Sequence, residues 1–349
     1  MSKSRTPAEW ALLWNQYLTA RADETGFMQS TWWTDLMVRQ GARQIDAFYL
    51  ADARIHAGAK VLIYEYQSGF CYFYTPDGPL FSADPEAAQQ EFDALIDRLD
   101  RYRAAHPHQH FSHLRIEHKW SAYPGFVDRL RPADDWLEPR TTIFVDVSGT
   151  PEEILARMRP TGRRWIRKAI ASGVNIVVDC SEPGIDAFIA LYTATMERKA
   201  QYAMDRGVLT DLAQTLFAND CGTLYFAEQD GKRIATAMIV FFANRATYLF
   251  AGSDAQSRGT MAPYLLNYQV MCDANARGLD WYDLYGGVPA EMTQHTLAGI
   301  SIFKHNLGGR DADFGPALDY VYDEWAYDAY QRFVRERYRV AVAEEFVAV

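Results

Sequence analysis

Apolar positions along the chain follow two periods, and their alternation predicts the order of elements. Over residues 7–18 they recur at helical spacing through Trp10, Leu13, Trp14 and Leu18, which predicts an opening helix. Strand-like runs follow at 45–50, 60–66 and 70–74, and the turn signal Thr75-Pro-Asp-Gly-Pro79 closes them. Asp84 followed by Pro85 reads as an N-cap and first helical position, predicting a helix to about Ala105. Residues 114–117 and 141–147 read as short strands, the second with Ile143, Val145 and Val147 on one face. Thr150-Pro-Glu-Glu153 is a capping box that opens a new helix, so a domain boundary is expected near Ser148. Beyond it, strands are predicted at 174–178, 223–229, 233–242 and 246–251, with Asp230-Gly231 as a hairpin turn. Helices are predicted at 185–202, 262–276 and 324–344.

The 349 residues are 49% hydrophobic and 14% aromatic, enough for a substantial core and, at this length, for two domains. No apolar run reaches the roughly 18 to 20 residues that span a bilayer. The N-terminus carries no apolar stretch of the signal-peptide kind, and Cys71, Cys180, Cys221 and Cys272 form no closely spaced pair. The expectation is a cytoplasmic protein with reduced thiols. A formal net charge of -10 makes general affinity for nucleic acid unfavourable, so any RNA contact needs a local basic patch.

One such patch exists. Arg157, Arg159, Arg163, Arg164, Arg167 and Lys168 lie within twelve residues, interleaved with Ile154, Leu155, Met158, Trp165, Ile166, Ala169 and Ile170. The pattern is that of a helix with one basic face, readable as a phosphate-contacting surface or as a solvated one. His106, His108, His110 and His113 form a second cluster, but they lack the spacings of structural zinc and have no acid or thiol among them, so no metal is expected.

In the second half, helix, antiparallel strands, helix and strand follow in the order of the Gcn5-related N-acyltransferase (GNAT) fold, and the first half shows a looser version of it. Acetyl-CoA enzymes of that fold cradle pyrophosphate on a Gln/Arg-x-x-Gly-x-Gly/Ala loop at a helix N-terminus. Here the same place reads Gln256-Ser-Arg-Gly259-Thr-Met261, and the bulky Met261 obstructs close backbone approach. No cofactor is expected.

Short motifs extend the comparison along nearly the whole chain. They are Phe27-Met-Gln-Ser30 with Trp33, Tyr74-x-Pro76-x-Gly78-Pro79, Arg115-Ile-Glu117, and Pro139-Arg-Thr-Thr142 with Asp146 and Ser148. Further along come Arg163-Arg164 with Arg167-Lys168, Tyr192 with Arg198 and Arg206, Tyr282-Asp-Leu-Tyr-Gly-Gly-Val288, and Leu297-Ala-Gly-Ile-Ser-Ile-Phe303-Lys304. In this order and spacing the chain resembles the FemABX family, aminoacyltransferases that move an amino acid from aminoacyl-tRNA to an amine of a peptidoglycan precursor in cell-wall cross-bridge formation.

The resemblance implies an α+β fold of two GNAT-like domains, residues 1–147 plus 317–349 and residues 148–316. Their mixed, mainly antiparallel sheets would be flanked by helices, with no coiled-coil arm. It implies Lys304 and Glu117 as catalytic residues, Phe303, Arg206, Tyr248 and Phe250 as substrate-binding residues, and Arg163, Arg164, Arg167 and Lys168 as the tRNA contact. The partners implied are aminoacyl-tRNA and a UDP- or lipid-linked precursor, with room for peripheral contact at the inner membrane face. Two positions depart from the family pattern: Met37 stands where a phosphate-binding Lys is common, and Thr210 where a substrate-binding Tyr is found. Two other readings stay open. One is an acyl-CoA-dependent N-acyltransferase; the other is a catalytically degenerate binding protein on this fold.

Overall fold

The computed structural model describes residues 5–51, 54–287 and 298–347; Val288 and Leu297 of the motifs above lie outside them. The chain divides into two compact units, 1–140 with 314–349, and 141–313.

In the first unit, α1 (Pro7–Ala20) opens with a reciprocal capping box between Thr6 and Glu9, and α2 (Thr31–Arg39) is capped by Ser30. Strands β1 (Arg43–Ala51), β2 (Arg54–Gln67) and β3 (Phe70–Pro76) form an antiparallel meander. Helix α3 (Pro85–Ala105), capped by Asp84, crosses over to β4 (His110–Glu117), which is parallel to β3. A short β5 (Arg131–Pro132) and the C-terminal β13 (Leu318–Val321) complete the sheet in the order β1-β2-β3-β4-β13-β5, and α10 (Glu324–Val347) ends the chain. Val61, Phe73, Phe92, Leu99, Leu114 and Ile116 are core residues between the sheet and α3.

The Phe27-Met-Gln-Ser30 motif has a structural role here. The Gln29 amide donates to the carbonyls of Lys60 and Pro76 and accepts from the Lys60 N–H, tying β2 to the end of β3, and the Trp14 indole donates to the Gln29 carbonyl. The histidine cluster also goes into packing: His106 stacks on Tyr102, His110 on Phe70 and His113 on Tyr72.

The second unit begins with β6 (Thr141–Asp146). This strand pairs with β11 (Trp281–Asp283) and β12 (Arg310–Asp313), so the boundary falls after Arg140 rather than after residue 147, and Phe314 rather than residue 317 returns the chain to the first unit. The capping box at Thr150 starts α4 (Pro151–Arg157), as its spacing predicts. The basic run is not one helix. Met158 is extended, Arg159 is an N-cap, and Pro160 begins α5 (Pro160–Ala171). Proline has no N–H to continue α4 and disfavours helical backbone in the residue before it.

There follow β7 (Asn175–Val178), α6 (Glu182–Arg198), α7 (Arg206–Ala218), β8 (Gly222–Gln229), β9 (Lys232–Phe242), β10 (Arg245–Ser253), α8 (Ala262–Ala276) and α9 (Ala298–Asn306). The helix expected over 185–202 ends at Arg198, and α7 lies beyond what the apolar pattern revealed. The sheet order is β12-β6-β11-β10-β9-β8-β7, antiparallel except for β10 with β11. Ile143, Val145, Val147, Ile239, Val270 and Tyr282 lie in its core. Both units are mixed sheets flanked by helices, the GNAT-like pair that the motifs imply.

Candidate active site

The parallel pair β10 and β11 stays together only over 245–247 and 281–283. Past that point β10 continues beside β9 alone, and a register shift between Tyr248 and Phe250 marks an irregularity of the kind that re-aims side chains. A cavity of about 430 Å³ opens where the strands part. Its walls include Tyr248 and Phe250 of β10, Tyr192 of α6, Lys199 just beyond α6, and Phe303 and Lys304 of α9. Phe250 meets Tyr192 edge-on at 5.6 Å, and Phe303 meets Tyr264 edge-on at 4.8 Å, so both aromatic walls are held from behind.

Lys304 lies in the last turn of α9. It is 3% exposed. Its ammonium donates to the carbonyls of Tyr285 and Gly286, which follow β11 in a left-handed turn with φ of 48° and 62°. The Tyr-Gly-Gly stretch is thus accounted for: two successive positive-φ residues turn their carbonyls onto one cation. An ammonium has three donors, so among the described residues one stays available to the cavity. Burial lowers the Lys304 pKa to about 8, with Asp283 pulling it up and Lys199 pulling it down. Desolvation on one side and two carbonyls with a carboxylate on the other make this a cation suited to meeting negative charge in a low-dielectric cleft.

Of the other residues the motifs single out, Arg206 opens α7, is exposed, pairs with Asp186, and does not line the cavity. Glu117 ends β4 in the first unit and is 8% exposed. It accepts from the Tyr74 hydroxyl at 2.7 Å and from the Leu137 and Glu138 N–H groups at 2.5 and 2.9 Å. Burial raises its pKa, and those hydrogen bonds with Arg115 lower it. Both of its oxygens are thus engaged in holding the 137–138 segment.

On α5, Arg163 donates to the carbonyls of Ala156 and Met158 and so closes the end of α4. Arg164, Arg167 and Lys168 are exposed, and none has an acidic partner at salt-bridge distance among the described residues. Arg164 and Lys168 flank the Trp165 ring at 4.3 and 5.4 Å. Lys199, Asp283 and the Tyr285–Gly286 carbonyls escape a linear reading, because their relation to Lys304 exists only after β11 and α9 are packed.

Residues 156–291 match the family described as an acetyltransferase (GNAT) domain. A UDP-N-acetylmuramoylpentapeptide-lysine N(6)-alanyltransferase of Weissella viridescens is 26% identical over 188 residues, which are 52% of this chain and 54% of that one. The chain therefore matches only about half the length of this relative. The crystal structure of FemX superposes with a TM-score of 0.79 at 15% identity, over 90% of this chain and 98% of FemX. In fold the chain is similar to FemX. A tandem GNAT protein from the clavulanic acid biosynthesis pathway shares the two-domain architecture more loosely, with a TM-score of 0.50 at 12% identity over 88% of this chain and 95% of the other.

The residues at the start of α8 do not fit an acyl-CoA pyrophosphate. Met261 itself adopts φ 59° as N-cap. Its N–H goes to the Arg258 carbonyl, the Ala262 N–H to the Thr260 hydroxyl, and the Tyr264 N–H to the Met261 carbonyl. The N–H groups of Met261, Ala262 and Tyr264 are thereby turned to partners inside the turn rather than outward to a phosphate. The two departures from the family pattern are structural in character: Met37 packs against an apolar cluster of the first unit, and the Thr210 hydroxyl donates to the Arg206 carbonyl within α7. Among the described residues no helix is long and apolar enough to cross a membrane, and no group of three or more His, Cys, Asp or Glu is placed to hold a metal ion.

Proposed function

We propose that this protein is an aminoacyltransferase that moves an amino acid from aminoacyl-tRNA to an amine of a peptidoglycan precursor. The observation that carries the reading is Lys304, buried at the cleft between β10 and α9, with one donor left for a ligand among the described residues. The acceptor amine attacks the ester carbon, the carbonyl electrons move to oxygen, and collapse breaks the bond to the ribose oxygen, which leaves with a proton from the amine. The ester is already activated, so no nucleophilic side chain is required; positioning and charge stabilisation suffice. Lys304 faces the oxyanion or a terminal phosphate of the tRNA, while Tyr248, Phe250 and Phe303 supply apolar walls that exclude water.

Glu117 acts through position. With both oxygens accepting hydrogen bonds, it shapes the 137–138 segment and is poorly placed to remove a proton. The exposed face of α5, whose Arg164, Arg167 and Lys168 have no acidic partner among the described residues, is the tRNA contact; Arg206, paired with Asp186 outside the cavity, serves the acceptor only if that surface pair opens. The internally bonded start of α8 favours this reading over transfer from acyl-CoA.

The test is incubation of purified protein with a charged tRNA pool and, in separate arms, UDP-linked and lipid-linked precursor, followed by mass spectrometry of the acceptor. The expected result is a mass increase of one amino-acid residue in one arm. No increase in either arm, together with acetylation of an amine from acetyl-CoA, would overturn the assignment.

A further inference from the structure

Asp283 ends β11 and is 6% exposed, yet no role follows for it from the motifs. Its Oδ1 accepts from the Thr142 hydroxyl of neighbouring β6 and, at 2.9 Å, from the N–H of Tyr285 two residues on. Tyr285 needs that support, because a residue with a Cβ at φ 48° sits in a sparsely populated region that costs about 1–3 kcal/mol unless its surroundings hold it. The held turn is the one whose carbonyls, at Tyr285 and Gly286, grip the Lys304 ammonium. Thr142 is itself 3% exposed, and its strand is fixed between β11 and β12, so the anchor is rigid.

We propose that Asp283 is the positioning residue of Lys304: anchored by Thr142, it locks the Tyr285–Gly286 turn and so sets both the place and the charge of the cation at the cleft. The proposal rests on the reading that Lys304 acts in transfer. The charged groups that bear on Lys304 are Asp283 on β11, which favours its protonated form, and Lys199 beyond α6, which opposes it. Removing the carboxylate charge therefore leaves burial and Lys199 unbalanced.

The experiment is competitive acetylation of lysines with acetic anhydride across a pH series, with the Lys304 peptide read by mass spectrometry, beside the pH profile of kcat in the transfer assay. Asp283→Asn retains an oxygen for the Tyr285 N–H and loses the charge. Thr142→Val keeps the charge and loses the anchor. For Asp283→Asn, the labelling midpoint of Lys304 and the alkaline limb of kcat are both expected to move down by about one pH unit, the size of effect of one nearby opposite charge. KM for the tRNA should be unchanged. For Thr142→Val the midpoint should hold while kcat falls, because the turn is loosened and the charge kept. If Lys304 in Asp283→Asn labels with the wild-type midpoint, the proposal is overturned, whatever the activity. If the midpoint moves but Lys304→Met remains fully active, the clamp is real and the catalytic reading of Lys304 fails instead.

Discussion

A lysine ammonium held at 3% exposure works against folding. Lowering its pKa from 10.5 to about 8 corresponds to about 3 kcal/mol at 1.36 kcal/mol per unit. The folded state binds fewer protons than the unfolded one between these values, so this cost is fully present below about pH 8 and is relieved as pH rises towards the unfolded value. Lys304→Met removes the cost and leaves two carbonyls without their donor, at about 1–3 kcal/mol for each buried group. The two effects oppose each other, so the melting temperature should move by only a few degrees. Activity should fall roughly a hundred- to a thousand-fold, the loss of one oxyanion donor. Wild-type kcat should decline as pH rises through about 8, where the ammonium loses its proton, and Lys304→Arg should abolish that decline if it turns over at all. A near-wild-type rate for Lys304→Met would make the residue structural.

Helix α5 connects the basic surface to the cleft. Gly162 lies so close to the end of α9 that a Cβ there would stand 2.1 Å from the Asn306 carbonyl oxygen, and the Arg159 N–H donates to that same carbonyl. Gly162→Ala must push α5 away from α9, and an activity loss larger than its effect on melting temperature is expected, because Lys304 shares the displaced helix. The charged face can be tested separately. Changing Arg164, Arg167 and Lys168 together to Glu, and sparing Arg163 because it closes α4, should weaken tRNA binding and flatten its dependence on salt, since fewer counterions are released. An unchanged affinity and slope would mean that the face is only solvated.

At this scale the chain was readable where a cap or an alternating run is local: Asp84 and Thr150 announce α3 and α4, and Ile143, Val145 and Val147 announce the buried face of β6. It was unreadable where one residue overrules a pattern. Pro160 splits the basic run into two helices, and the helix that carries Lys304 has no predicted counterpart. The cleft was not legible at all, because it is a parting of β10 from β11 rather than a property of either strand.

Across the whole molecule, the motif Arg115-Ile-Glu117 explains how a chain that leaves its first unit at Arg140 comes back to it. Arg115 is fully buried in β4. It donates through Nε and Nη2 to Asp319 of β13, at 2.5 and 3.0 Å, and through Nη2 to Asp135 at 2.9 Å. The Tyr327 hydroxyl of α10 donates to Asp319 as well, at 2.7 Å. One guanidinium therefore fastens the strand and helix that follow the second unit onto the sheet that precedes it. No local signal marks β13 as a strand of the first sheet; its four residues depend on partners some two hundred positions earlier. Such a pair is weak evidence for net stability, but removing one member leaves buried charge uncompensated, at about 3–5 kcal/mol. Arg115→Met is expected to lose about that much from the first unit, because Asp319 and Asp135 both lose the guanidinium they accept from. Hydrogen exchange should then show protection lost in β4 and β13 and retained in β8, β9 and β10, whose core lies wholly within 141–313. Equal loss of protection in both sheets would mean that the two units unfold as one, and that Arg115 secures more than the return of the C-terminal segment.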